Sequence, residues 1–112
     1  MDNERRDRIA KNEVVFRDVN ERVKQIGDAS GDPTNELATF LCECGDAQCL
    51  ERIGMLPSEY EEVRASPVHF AVVPGHEKPE VERIVRKERR FYILEKLPGE
   101  QAVARENDPR GE

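Results

Sequence analysis

Cys42, Cys44 and Cys49 are the only cysteines of this chain, and they fall within eight residues, in the stretch FLCECGDAQCLERI. Clustered thiols of this kind suit a soft metal ion, because zinc and its relatives take thiolates and imidazoles in a tetrahedron. Residues i and i+2 of an extended strand point to one side. Cys42 and Cys44 at a strand end therefore aim at a common point. Gly45-Asp46 permits a tight reversal, and Cys49 returns a third thiolate from the other arm. The C-x-C-x4-C spacing differs from the common C-x2-C knuckle, so the weight rests on the clustering.

A fourth ligand has to come from one of two histidines, His69 or His76. His76 follows Pro74-Gly75 in VPGHE, where a turn lets an imidazole reach a site at a sheet edge. His69 sits inside an apparent strand, VHFAVV, on the face opposite Val68 and Phe70, and reads as an ordinary strand histidine. The expected site is one structural zinc per chain held by Cys42, Cys44, Cys49 and His76. The competing chemistry is thiol redox, with a Cys42–Cys49 or Cys44–Cys49 bridge as an oxidation event. A disulfide framework fits less well. Three is an odd number, and a Cys42–Cys44 bridge is strained by strand geometry.

A zinc closed by three thiolates and one imidazole leaves no open position for substrate or water, so no catalysis is expected. The zinc deaminases order their motif as H-x-E followed by P-C-x-x-C. Here the order is reversed and the His-Glu pair is adjacent. No nucleophile motif or oxyanion-hole turn accompanies a thiol–imidazole pair, and the glycines of PGHEKPE and LPGEQ are isolated, so no phosphate loop is present.

These ligands need elements to hold them. Residues 1–26 predict an amphipathic helix, with Ile9, Phe16, Val19, Val23 and Ile26 in a heptad series and Asn12 in the missing d position. That series packs either on its own domain or against a second helix, which makes the helix the expected surface for a protein partner or homodimer. Residues 27–36 carry two Gly-Asp steps and Pro33 and read as a linker. Residues 37–97 predict an α+β domain. LATFLC is a strand into the cysteine turn, and LERIGM is a weak return strand. A short helix follows in LPSEYEEVRASP, with Ser58 as N-cap, Glu61 three residues on, and Tyr60 and Val63 facing inward. VHFAVVP is a strand; VERIVRKE and RFYILEKL form a hairpin over a basic turn. Residues 98–112 have no periodic apolar pattern and are expected to lack order. The fold expected is α+β: a long N-terminal helix and a small, mainly antiparallel sheet with one inserted helix and a cysteine knuckle.

Charged residues make up 38% of the chain and hydrophobic ones 37%, with a net charge of −6. A core this thin gains from a metal staple. The negative field argues against nucleic acid and anionic membranes. The basic cluster Arg83, Arg86, Lys87, Arg89 and Arg90, with Phe91 and Tyr92 beside it for stacking, keeps a nucleic-acid-associated factor as an alternative. No apolar run approaches a membrane span. The first residues lack the apolar centre of a signal peptide, so a cytoplasmic address is the default expectation. Reduced thiols there favour metal over disulfide.

CECGDAQC, followed by SEYEEVRASPVHFAVVPGHEKPEVERIV, resembles a group of small, largely uncharacterised bacterial proteins of actinobacterial type. Their pattern runs C-E-C-G-x3-C, then E-Y-E-x-V-R, then P-G-H-E. The resemblance covers about residues 8 to 96 and implies one complete protein; it implies no activity. RKERR in the last hairpin is more basic than the pattern. The functions expected are thus a non-catalytic zinc-binding interaction or regulatory module, or else a thiol-based redox or metal sensor.

Overall fold

The computed structural model describes residues 3–30 and 37–110. Its elements are helix α1 (Asn3–Ser30), strands β1 (Ala38–Leu41) and β2 (Arg52–Met55), helix α2 (Pro57–Val63), strands β3 (His69–Val72), β4 (Glu82–Lys87) and β5 (Tyr92–Lys96), a 3-10 turn (Pro98–Glu100) and helix α3 (Ala102–Glu106). The architecture is α+β, as the sequence predicts. β1 and β2 form an antiparallel hairpin around the cysteine turn, and the other strands make an antiparallel sheet in the order β3-β5-β4.

The strands form two sheets, and Glu43 stitches them together. Its backbone N–H donates to Ala71 O at 2.8 Å, and its side-chain Oε1 accepts the Ala71 N–H at 2.9 Å. A carboxylate thus completes the outer edge of β3, where an unpaired strand would expose its ladder groups. The core collects Phe40, Ile53, Met55, Tyr60, Val63, Val72, Phe91, Ile93 and Leu94. Phe40 stacks on Tyr60 with ring centres 4.6 Å apart. Tyr60 and Val63 face inward as read from the sequence.

Three local expectations are corrected. α2 is capped two residues earlier than Ser58: Leu56 is the N-cap, Pro57 opens the helix, and the Glu59 carboxylate accepts the Leu56 N–H at 2.8 Å. α1 continues through Gly27 to Ser30; the rest of the expected linker lies outside the described residues. The stretch after Pro98 is ordered as far as Arg110, carrying the 3-10 turn and α3. It is held by charge rather than by a hydrophobic stripe. Arg17 donates to Ala104 O at 2.9 Å, Arg64 bonds Asp108, and Arg110 forks onto Glu21 and Glu61.

α1 also departs from the expected seam. Its buried residues are Ile9, Ala10, Glu13, Val14, Arg17, Asn20 and Glu21, whereas Phe16 and Val23 are half-buried and Val19 and Ile26 are exposed. The inner face is polar because it meets polar partners. Asn20 pairs with Leu41 as a strand would, donating to its carbonyl at 2.9 Å and accepting its N–H at 2.8 Å. Lys96 donates to Glu13 at 2.8 Å, and both are buried. Asn12, expected in the seam, instead donates to Gly45 O at 2.9 Å.

Candidate metal centre

The cysteine turn is shaped by close packing against α1. Gly45 has φ +82, and a Cβ there would stand 2.8 Å from Ile9 Cγ2 and 2.9 Å from Ile9 O. Only glycine fits both the backbone and the space. The Asp46 carboxylate accepts the Gln48 N–H at 2.9 Å, and the Cys49 N–H closes onto Asp46 O at 3.0 Å. Cys42 and Cys44 lie on one side of the extended segment, and Glu43 between them points the other way, into the core. Glu43 is fully buried, and three donors hold its carboxylate: Asn20 Nδ2 at 2.8 Å, Tyr60 OH at 2.8 Å and the Ala71 N–H. Burial nevertheless pushes its pKa up.

The other arm is a turn after β3. The His76 N–H reaches Val73 O at 2.9 Å across Pro74-Gly75, with Gly75 at φ +95, the pattern of a type II turn. That turn swings His76 over the thiols. Its Nδ1 lies 3.5 Å from Cys42 Sγ and 3.7 Å from Cys49 Sγ. One ligand atom each from Cys42, Cys44, Cys49 and His76 falls within 4.8 Å of all the others. The four residues predicted as ligands are therefore brought together and positioned to bind a metal ion. His69 is not among them; its Nε2 sits 3.2 Å from Glu95 Oε2 on the three-stranded sheet. Glu77 turns back to accept the Gly75 N–H at 3.1 Å.

Cys42 also accepts a backbone N–H. Val73 donates to Cys42 Sγ at 3.2 Å, and the backbone at Asp46 and Glu51 favours the charged forms of Cys44 and Cys49. Donors aimed at sulfur favour thiolate over thiol. The neighbouring Cys42 thiol pulls Cys44 down to about 4, and the same proximity drives Cys42 up. Burial raises Cys49. A divalent cation held there would make thiolates of all three and leave one negative charge. The Lys78 ammonium is placed to offset it, with Nζ 2.6 Å from Cys44 O. Burial grades across the site: Cys42 and Cys44 are buried, and Cys49 and His76 are half-buried.

The basic hairpin turn is differently arranged from its sequence reading. Arg83 pairs with Glu95 at 2.8 Å, Arg86 with Glu62 at 2.6 Å and Arg90 with Glu59 at 3.0 Å. Phe91 is in the core, not available for stacking a base, and Lys87 lies over the Tyr92 ring.

Sequence reading missed Glu43, Asn20 and Lys78, which hold the ligands in place. The only signal for Glu43 was its place between two cysteines, where alternation sends it inward. No family model, curated protein or solved structure matches this chain.

Proposed function

We propose that this chain is a small, non-catalytic zinc-binding protein-interaction or regulatory module, holding one structural ion through Cys42, Cys44, Cys49 and His76 and offering α1 to a protein partner. The observation that carries the reading is four donor atoms converging within 4.8 Å, with a backbone N–H on the Cys42 sulfur. Zinc bond lengths support it. Bonds of about 2.3 Å to sulfur and about 2.05 Å to nitrogen make a tetrahedron with S···N edges of about 3.6 Å. The edges from His76 to Cys42 and Cys49 are 3.5 and 3.7 Å. Four protein ligands close the shell, which is the pattern of a structural rather than a catalytic site. A thiol-based sensor is the second reading, favoured by the partial exposure of Cys49 beside two buried thiols. As for location, none of the described helices is long and apolar enough to cross a membrane. A cytoplasmic address remains part of the proposal.

Elemental analysis of untagged protein, purified under reducing conditions, tests the first reading. About one zinc per chain is expected. His76→Ala should weaken affinity roughly tenfold or more, by comparison with losses from weaker supporting contacts, and His69→Ala should leave it unchanged. Metal-free, fully stable protein contradicts the reading. Ready metal release under mild peroxide, with a disulfide formed, favours the sensor instead.

A further inference from the structure

Surface helices turn their charges to water and their apolar stripe to the core. In the second half of α1 the buried face is largely polar and the exposed face carries apolar residues. At about 100° per residue, the face carrying Glu13, Arg17, Asn20 and Glu21 is buried, and Val15, Val19 and Ile26 lie roughly opposite, 56%, 40% and 70% exposed. Phe16 and Val23 are half-buried along the border. The heptad seam read from the sequence thus begins in the core at Ile9 and leaves it toward Ile26. A straight helix drifts by about 20° per heptad, which carries such a seam outward.

Phe16, Val19, Val23 and Ile26 are spaced three, four and three, an order that reads the same in either direction. A twofold interface needs this property, because residue i must meet j while j meets i. Two copies of α1 laid antiparallel place Phe16 against Ile26 of the second copy and Val19 against Val23, each twice. Arg22 borders the seam and Asp18 lies further round on the same outer side, and neither has a hydrogen-bond or ion-pair partner among the described residues. In this register each Arg22 comes within about 3 Å, along the axis, of the level of the other copy's Asp18, at a 1.5 Å rise per residue. The set is two acids and two bases. A parallel pairing would instead set Asp18 on Asp18 and Arg22 on Arg22.

We propose that the outer side of α1 is the interface of an antiparallel homodimer, closed by Phe16, Val19, Val23 and Ile26. The inference rests on the reading of α1 as the partner surface and is independent of the metal. One helix pair of this length buries on the order of 1,000 Å², the small end of specific interfaces. The dimer therefore dissociates reversibly on dilution.

Sedimentation equilibrium across a concentration series, with metal content measured on every sample, is the test. Wild-type protein should move with concentration from the 12.9 kDa chain mass toward twice that value. Val19→Asp/Ile26→Asp should weaken association at least tenfold and leave the metal content unchanged. Ile26→Lys, at the most exposed position, serves the same purpose if the double variant melts early. Asp18→Arg should weaken the dimer, and Asp18→Arg/Arg22→Asp should restore it. A single chain mass at every concentration overturns the proposal, and so does a dimer that survives the seam variants. A metal-loaded monomer defeats the dimer alone; a metal-free dimer defeats the zinc reading alone.

Discussion

Cys42, Cys44, Cys49 and His76 converge as a set of donors open to a metal ion, whereas Glu13, Lys96, Glu82, Glu21 and Arg64 are buried beside ionisable partners from the chain itself, and Arg17 is buried against carbonyls and a ring. The first centre is drawn from two short turns and is positioned to be completed by a metal ion. The second joins α1, α2, β4, β5 and the C-terminal segment and is completed within it. Lys96 Nζ lies 2.8 Å from Glu13 and 3.6 Å from Glu82, all three buried. Arg64 Nε reaches Glu21 at 2.7 Å and its other end reaches Asp108. Arg17 donates to Pro67 O at 2.8 Å and to Ala104 O, and lies 5.1 Å from the Phe70 ring centre. Buried ion pairs stabilise little relative to apolar packing, but removing one partner is expensive. The two centres should therefore respond to different insults: the metal centre to chelators and oxidants, the ionic one to single substitutions.

The largest effect of a single substitution is expected at Arg64. Arg64→Ala leaves Asp108 without its guanidinium and Glu21 with Arg110 alone. Its cost should be about 3–5 kcal/mol, the range for a broken buried pair, read by denaturant titration of metal-loaded protein. Metal content per folded chain should not change. A loss below 1 kcal/mol would show that this network does not hold the C-terminal segment.

Glu43→Gln is smaller and links the two centres. It keeps the shape but turns one acceptor into a donor facing N–H or O–H donors, at a cost of about 1–3 kcal/mol. Since Glu43 stands between Cys42 and Cys44, metal affinity should fall with stability, and the ratio of the two losses is measurable on one sample. A variant as stable as wild type would remove Glu43 from the scaffold.

The smallest effects concern pH, and their signs oppose. Burial works against Glu21 and Asp108, yet Arg110 and Arg64 hold both below their ordinary values; the Arg110 fork brings Glu61 to about 2. Their contribution is present above the unfolded values near 4.5 and 3.8 and fades as pH falls through the folded ones. Glu13 is raised from 4.5 by burial, then by Glu82. Its folded form keeps a proton that the unfolded chain releases, so stability falls as pH climbs above 4.5. Glu13→Gln should flatten that decline and leave the acid limb untouched. An unchanged alkaline slope would mean that Glu13 is already ionised in the fold.

The cysteine centre was legible because its residue types are rare and its spacing local. Strand alternation placed Cys42 and Cys44, and the Pro74-Gly75 turn singled out His76 over His69. The ionic centre was not legible. Hydropathy sends Glu13, Arg17 and Glu21 to solvent, and only partners up to 89 residues away, such as Arg110, reverse that. The same blindness made the segment after Pro98 look unstructured, since Asp108 and Arg110 belong to no apolar period. At α2 the pattern around Ser58 and Glu61 was a plausible cap. Pro57 opens the helix before it, which makes Leu56 the N-cap.

X-ray absorption at the metal edge of protein purified without added metal tests the central claim most directly. The account predicts zinc with three sulfur neighbours at about 2.3 Å and one nitrogen at about 2.05 Å, the nitrogen lost in His76→Ala and retained in His69→Ala. A shell of oxygen and nitrogen alone, a fourth sulfur in place of the imidazole, or no metal in reduced and stable protein would contradict it.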